Sequence, residues 1–165
     1  MRNRPNPGFL PAALTLAVCA AVLMAAAPRD SRSTKADAAT ALYPDTVLSA
    51  SLTGAAEVPG PGDTNASGSA TVTVEPGKGQ VCYELTVSGL TDVTAAHIHE
   101  GAEGKEGPPV VVLDAPEDGS AKGCREATKE VIAALLEHPT DYYVNVHDKA
   151  HPNGAIRGQL MAKGM

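Results

Sequence analysis

The fold is decided by residues 69–87, which read SATVTVEPGKGQVCYELTV. Ser69–Val74 alternates with period two and is rich in β-branched residues, and Val81–Val87 alternates in the same way. This period predicts two strands, and the turn residues Glu75–Gly79 between them predict a β-hairpin. Successive side chains of a strand point to opposite faces, so one face of the second strand is expected to be core. The residues on that face are Val81, Tyr83, Leu85 and Val87.

Along the rest of the chain the same patterns predict further strands and one helix, which gives about seven strands in total with the two of the hairpin. Thr128–His138 is the one clear helix, with Thr128 as its N-cap and an apolar stripe on one side. Asp118–Gly123 is predicted to be a polar loop. The sequence thus predicts an all-β fold, an antiparallel Greek-key β-sandwich of immunoglobulin-like or superoxide-dismutase-like shape with one short inserted helix. The other predicted strands are Val47–Leu52, Ala95–His99, Val110–Leu113, Tyr142–His147 and Ala155–Leu160.

The N-terminal segment has the pattern of an export signal. Arg2 and Arg4 precede the uncharged, apolar run Phe9–Ala27, which predicts that residues 1–27 are a signal peptide or, alternatively, a retained N-terminal anchor. Residues 28–44 show no periodicity and are predicted to be a flexible linker. The domain is expected at residues 45–162. We therefore expect a secreted, periplasmic or cell-surface protein that meets the membrane only through its N-terminal segment.

The composition argues against several classes of partner and activity. From Leu42 onward the chain carries 17 acidic and 8 basic residues, and such an acidic domain is unsuited to nucleic acid or anionic lipid. Four Tyr, one Phe and no Trp leave little surface for base stacking. No hydrolase triad order, phosphate loop or dinucleotide fingerprint is visible. The sequence predicts no catalytic residue and favours a non-enzymatic protein.

Cys82 and Cys124 are the two cysteines of the expected domain. Two cysteines in a small exported domain are expected to form a disulfide. The alternative is a pair of separate buried thiols. A bridge closing a loop of this length would stabilise the domain by about 3–4 kcal/mol.

The alternation of core-facing and outward-facing residues along the strands places three histidines on the face opposite the core. Ile98 is the natural core residue of its strand, so His97 and His99 share the other face. In the strand of residues 142–147 the valines take the core side, which turns His147 to that face as well. We expect this face to be exposed to solvent. The predicted supporting residues of the site are Asn145, His151 and Arg157.

Three imidazoles on one patch suit a transition metal ion. Imidazole nitrogen is a ligand for copper and zinc, and a His-x-His pair on a strand gives two ligands with fixed spacing. Three protein ligands with an open position are typical of a catalytic or exchangeable site. The alternative is that the rings only bond loop carbonyls. The sequence thus predicts a copper site, or a zinc site, at His97, His99 and His147.

Four sequence blocks resemble the recurring blocks of the chordin-domain (CHRD) family. They are Leu52–Pro59, Ala96–Gly101, Tyr142–His147 and Asn153–Leu160, in that order. The resemblance implies a secreted or surface-exposed domain, because chordin is an extracellular binder of growth factors. It also implies that Cys82 and Cys124 occupy the positions of the family's cysteine pair.

A weaker likeness is to the copper-zinc superoxide dismutases. His97, His99, His147 and Arg157 occur in the order in which those enzymes carry two copper ligands on one strand, a later histidine and an arginine. The interval that should supply the bridging and zinc-binding histidines holds only His138. Efficient dismutation is therefore not expected.

Together these features predict an exported, non-enzymatic binding module with a histidine site for copper or a similar transition metal. The alternative is a metal-free cell-surface or extracellular protein-interaction domain. A redox enzyme similar to superoxide dismutase is the least favoured interpretation.

Overall fold

The computed structural model describes residues 43–163. The predicted export segment, residues 1–27, lies outside the described residues, as does the predicted linker up to residue 42. Within the described part of the chain the fold has nine β-strands and one α-helix. No helix in this part is long and apolar enough to cross a membrane.

The strands follow one another with short turns, and the helix is inserted late. The helix, α1, spans Lys129–Glu137 and lies between β6 and β7 in the chain. The strands are β1 Thr46–Thr53, β2 Ser67–Glu75, β3 Gln80–Ser88, β4 Val93–Glu100, β5 Pro109–Leu113, β6 Ser120–Glu126, β7 Tyr142–Asp148, β8 Ile156–Gln159 and β9 Met161–Ala162.

All strand pairs are antiparallel. The strand order is β5-β4-β7-β8-β1-β2-β3-β6, and β9 pairs with β1. The two strands at the ends of this order, β5 and β6, also contact each other, so the sheet folds into a nearly closed, barrel-like sandwich. The predicted all-β fold with one short helix is confirmed.

The hairpin at the centre of the prediction is β2–β3. Its register pairs Val72 with Tyr83 and Val74 with Val81, and these four side chains are at most 2 % exposed. The predicted core face of β3 is confirmed, since Leu85 and Val87 are buried on the same side. Burial of one face fixes the register, because a slip of one residue would expose every apolar side chain of the strand.

The predicted helix is also confirmed. The Thr128 hydroxyl accepts a hydrogen bond from the Val131 amide at 3.3 Å, which caps the free N–H groups of the first turn. Ile132 and Leu135 are buried against the sandwich. The helix ends before Pro139, whose ring cannot continue an α-helix.

The prediction of a loop at Asp118–Gly123 is wrong, because β6 begins at Ser120. This strand lies at one end of the sheet order and pairs only with β3. Its residues alternate between exposed and half-buried positions without a fully buried one, so it lacks the apolar alternation by which the other strands are recognised. Pairing with β3 holds it, and in that register Cys82 lies opposite Cys124, with which it forms the expected disulfide.

Candidate metal centre

The predicted histidines lie on two neighbouring strands. The register of β4 and β7 pairs Ala95 with His147, His97 with Asn145 and His99 with Tyr143. Residues two apart on a strand share a face. The register therefore brings the three histidines together on the face opposite the core, and each is half-buried.

The three rings form a compact cluster. His97 Nδ1 lies 3.3 Å from His147 Nε2, and one nitrogen from each of the three rings lies within 4.8 Å of the others. Two nitrogens bound tetrahedrally to one ion, at about 2.0–2.1 Å each, are roughly 3.3 Å apart. The pair of His97 and His147 already has this separation, and small movements of the His99 ring would complete a three-nitrogen site.

Backbone carbonyls orient two of the rings. His99 Nδ1 lies 2.8 Å from the Gly107 carbonyl oxygen, and His147 Nδ1 lies 3.1 Å from that of Pro152. A carbonyl oxygen only accepts hydrogen bonds, so each Nδ1 donates and each Nε2 is unprotonated, with a lone pair that can accept a hydrogen bond or bind a metal ion. Nε2 of His99 is buried and has no hydrogen-bond partner among the described residues. Ligating histidines commonly have their second ring nitrogen held in this way.

Burial keeps the imidazoles neutral. Desolvation lowers the pKa of His97, and the neighbouring His147 and His99 lower it further. Desolvation also lowers the pKa of His99 and of His147, although the hydrogen bonds to the Gly107 and Pro152 carbonyls act in the opposite direction. Neutral imidazole is the form that binds metal ions.

A stack of planar groups forms one wall of the cluster. The ring of Tyr143 lies 4.9 Å from that of His99, centroid to centroid, with only 12° between their planes. The guanidinium carbon of Arg157 lies 3.4 Å from the centroid of the Tyr143 ring. Tyr143 stands between β4 and β8, the strands that carry these two neighbours. Stacking on Tyr143, which is itself held by the cation–π contact with Arg157, thus helps to fix the position of the His99 ring.

The loop of residues 101–108 covers this face of the sheet. Gln159 Nε2 donates to the Gly101 carbonyl at 2.6 Å and Arg157 donates to the Ala102 carbonyl at 3.1 Å. At the other end of the loop, Gly107 receives the hydrogen bond from His99 and donates its amide to the Tyr143 hydroxyl at 3.4 Å. Residues of three strands therefore hold the loop over the cluster.

This cover corrects the expectation of an exposed face. The predicted assignment of side chains to the two faces of these strands is right, but Asn145 is only 3 % exposed and Arg157 only 2 %. Periodicity within strands shows which side chains share a face, whereas exposure depends on what else folds over that face. Here the loop that follows β4 lies against Arg157, and the segment after β1 lies against Asn145.

Glu57 is a residue of this region that no sequence pattern singled out. It lies after β1, is 6 % exposed, and its Oε1 accepts a hydrogen bond of 2.7 Å from Asn145 Nδ2. Burial raises its pKa to about 7, against the opposing effect of the Arg157 charge. The amide oxygen of Asn145 is buried and has no partner in the described part of the chain. The signal that could have found Glu57 is its place within the block Leu52–Pro59.

The remaining predicted supporting residue, His151, is not part of the cluster. Its Nδ1 lies 3.0 Å from Asp148 Oδ1, and its backbone amide donates to the same oxygen at 2.6 Å. Together with Asp63 these two residues form a separate group, whose ligand atoms lie within 4.8 Å of one another. The adjacent Pro152 contributes instead, through the carbonyl that orients His147.

A disulfide-bridged β-sandwich with a covered histidine face is the class of domain that this geometry defines. A family model described as the CHRD domain matches residues 48–160, and the chain belongs to this family. No curated protein and no solved structure matches it. CHRD domains are typically extracellular, and the disulfide between Cys82 and Cys124 is compatible with such a location.

Proposed function

We propose that this protein is an exported binding module that holds one transition metal ion, copper or zinc, between His97, His99 and His147. The observation that carries the proposal is the mutual distance of the three ring nitrogens, all within 4.8 Å. A domain that offers three neutral imidazoles has the ligand type that copper and zinc prefer.

Further support comes from the way in which the rings are held. Carbonyl groups of Gly107 and Pro152 orient the rings of His99 and His147, which leaves Nε2 of these two rings unprotonated. Such preorganisation lowers the entropy cost of gathering the ligands. The protein supplies three ligands and leaves a coordination position for water or for a partner's donor. This suits binding, delivery or storage of the ion.

The test is isothermal titration of the full-length chain with Cu(II) and with Zn(II). Four variants are compared with the parent: His97→Ala, His99→Ala, His147→Ala and His138→Ala. His138 is an exposed histidine at the end of α1, outside the cluster, so it controls for nonspecific uptake by surface imidazoles.

We expect one ion per chain in the parent and in His138→Ala. Each cluster variant loses one of three metal ligands and should bind at least about tenfold more weakly, since loss of an outer-shell partner alone typically costs 10–100-fold in metal affinity. Copper-loaded parent protein should show nitrogen hyperfine coupling in its electron paramagnetic resonance spectrum. Equal, weak uptake by all five proteins would remove the metal proposal.

A second candidate is a metal-free protein-interaction domain at the cell surface or in the extracellular space. The observation that favours it is Val112, which is 62 % exposed on the edge strand β5. An edge strand offers unpaired backbone groups to another chain. Pull-down from envelope extracts with the parent and with Val112→Lys tests it. A partner retained by the parent and lost by the variant would support this candidate, and identical recovery would count against it.

A further inference from the structure

Two buried side-chain polar atoms lack a hydrogen-bond partner within residues 43–163, and both belong to the sheet face that carries the histidines. They are Nε2 of His99 and Oδ1 of Asn145. Both are acceptors, because the ring proton of His99 lies on Nδ1 and an amide oxygen carries no hydrogen. A buried acceptor without a partner costs free energy. The three-histidine site occupies the first of these atoms and leaves the second unexplained.

The strand register places Asn145 in the middle of this face. On β7 it stands between Tyr143 and His147, and it pairs with His97 of β4 on one side and with Arg157 of β8 on the other. Residues two apart on a strand share a face. Two of the four immediate neighbours of Asn145 are therefore histidines of the cluster.

The rings of His99 and His147 meet over the row that Asn145 shares with His97. The register of β4 and β7 puts His99 and His147 on the two rows that flank this one, so they stand four residues apart along the strands, roughly 13 Å. Their ring centroids are nevertheless only 6.4 Å apart. Both rings must therefore lean toward the central row, where Asn145 lies.

The amide group of Asn145 is held in one orientation. Its Nδ2 donates to Glu57 Oε1 at 2.7 Å, so the oxygen, on the other arm of the planar amide, does not face Glu57. Neither Arg157 nor Tyr143 donates to this oxygen, and solvent does not reach it. The atom is enclosed by its neighbours on the histidine face.

No ring proton of the cluster is left for this oxygen. His99 and His147 donate from Nδ1 to the Gly107 and Pro152 carbonyls, and the proton of His97 lies between its Nδ1 and Nε2 of His147. Three neutral imidazoles carry three ring protons, and all three are used. The amide oxygen therefore needs a group that enters the site, and a cation attracted by imidazole lone pairs is such a group.

We propose that Asn145 is the fourth ligand of the metal ion, bound through Oδ1. The inference rests on the proposed metal function, in which three imidazoles leave one position of a tetrahedral ion open. A neutral amide oxygen is a weaker ligand for copper or zinc than imidazole is, so a donor from a partner protein can displace it. The hydrogen bond to Glu57 orients the amide, as outer-shell groups do for metal ligands.

The experiment uses the full-length chain at pH 8, where Glu57, with its pKa raised to about 7 by burial, is mostly ionised and only accepts. Isothermal titration with Zn(II) compares the parent, Asn145→Leu and Asn65→Leu. Leucine has nearly the shape of asparagine but offers no oxygen. Asn65 is exposed in the segment between β1 and β2, so its variant is the matched control. Azide titrations follow on the Co(II)-loaded proteins, whose visible absorption reports the ligands of the ion.

We expect Asn145→Leu to bind Zn(II) at least about tenfold more weakly, since loss of an outer-shell partner alone has this effect, and Asn65→Leu to bind it as the parent does. Azide should bind Co(II)-loaded Asn145→Leu more tightly than the loaded parent, because in the parent it must displace a tethered oxygen. A purely structural role would leave azide affinity unchanged. Equal azide affinity in the two loaded proteins would therefore overturn the proposal.

A measurement on the parent alone keeps the proposal testable if Asn145→Leu fails to fold. The Cγ resonance of Asn145 in the ¹³C-labelled chain should move downfield with the first equivalent of Zn(II), because a bound cation draws electron density from the oxygen. A Cγ resonance that stays in place while zinc saturates the site would overturn the fourth ligand and leave the three-histidine site standing. A parent that binds no zinc would overturn both.

Discussion

Nδ1 of His97 lies 3.3 Å from Nε2 of His147. Since Nδ1 of His147 faces the Pro152 carbonyl, its Nε2 can only accept, and the proton between the two rings belongs to Nδ1 of His97. Without metal, this hydrogen bond holds the two strands' histidines together. An ion bound to both nitrogens would require that proton to move to Nε2 of the same ring.

We therefore predict a change of tautomer at His97 when Zn(II) binds. Long-range ¹H–¹⁵N correlation spectra should show the Nδ1–H form before addition and the Nε2–H form after one equivalent. His99 and His147 should keep Nδ1 protonated throughout, because carbonyls accept from it. Spectra in which His97 does not change would contradict ligation through Nδ1.

The three histidines of the cluster should become protonated at a lower pH than a histidine in an exposed peptide. Desolvation lowers the pKa of His97, His99 and His147 below 6.5, so each should charge only in more acidic solution. The unfolded chain takes up these protons first, so as pH falls through 6.5 the three groups reduce stability. Two-dimensional spectra recorded from pH 8 to pH 4 measure the midpoints. A midpoint at or above 6.5 in any of the three would contradict this expectation.

Glu57 should make stability depend on pH in the opposite direction from most acids. Its pKa is about 7 when folded, against 4.5 for the free side chain, so between these values the folded state holds a proton that the unfolded state has lost. Stability from this group is greatest below pH 4.5 and falls as pH rises toward 7. The loss amounts to roughly 2–3 kcal/mol.

The measurement is urea unfolding of the parent and of Glu57→Gln at several pH values. The amide is uncharged throughout, so the difference in unfolding free energy between the two proteins should grow in favour of the variant from pH 5 to pH 8. Other titrating groups are common to both and cancel. Parallel curves for the two proteins would show that Glu57 does not carry this effect.

Gly107 should tolerate no side chain. A Cβ at this position would lie almost on the Glu100 carbonyl oxygen, so Gly107→Ala must displace the loop whose carbonyl orients His99. We expect a loss of about 1–3 kcal/mol in unfolding free energy and a roughly 10–100-fold loss in metal affinity. Gly77→Ala is the control, because a Cβ there meets nothing within 4 Å. Unchanged metal affinity in a folded Gly107→Ala would contradict the role given to this carbonyl.

The disulfide should contribute substantially to stability. It joins residues 42 apart in sequence, and for a loop of this length the chain-entropy estimate is about 4 kcal/mol. Cys82→Ser/Cys124→Ser should unfold at correspondingly lower urea concentration. The metal affinity of the folded variant should not change, because the bridge joins β3 and β6 while the histidines lie on β4 and β7. A variant as stable as the parent would contradict the estimate.

The histidine face could be predicted from sequence because strand parity is a local property. Ile98 and its valine counterparts on β7 are buried, and this alone turns His97, His99 and His147 to the opposite side. The strand β6 could not be predicted, since its exposed edge position places no apolar demand on its residues.

The proximity of Glu57 to Asn145, 88 residues later in the chain, has no local signature either. The loop after β4 gives a similar case. Its Gly- and Glu-rich sequence predicts only irregular structure, yet hydrogen bonds from Gln159 and Arg157 of β8 fix it over the site.

The sequence by itself determined the strand periodicity, the inserted helix and the side of each strand on which the histidines stand. These follow from steric alternation along the backbone and from the burial of apolar side chains. Only the tertiary structure decided that β4 and β7 are neighbours, that a loop covers Arg157, and that Glu57 bonds Asn145. Those outcomes depend on contacts between distant segments, whose free energy is set by the assembled sheet and not by any single stretch of chain.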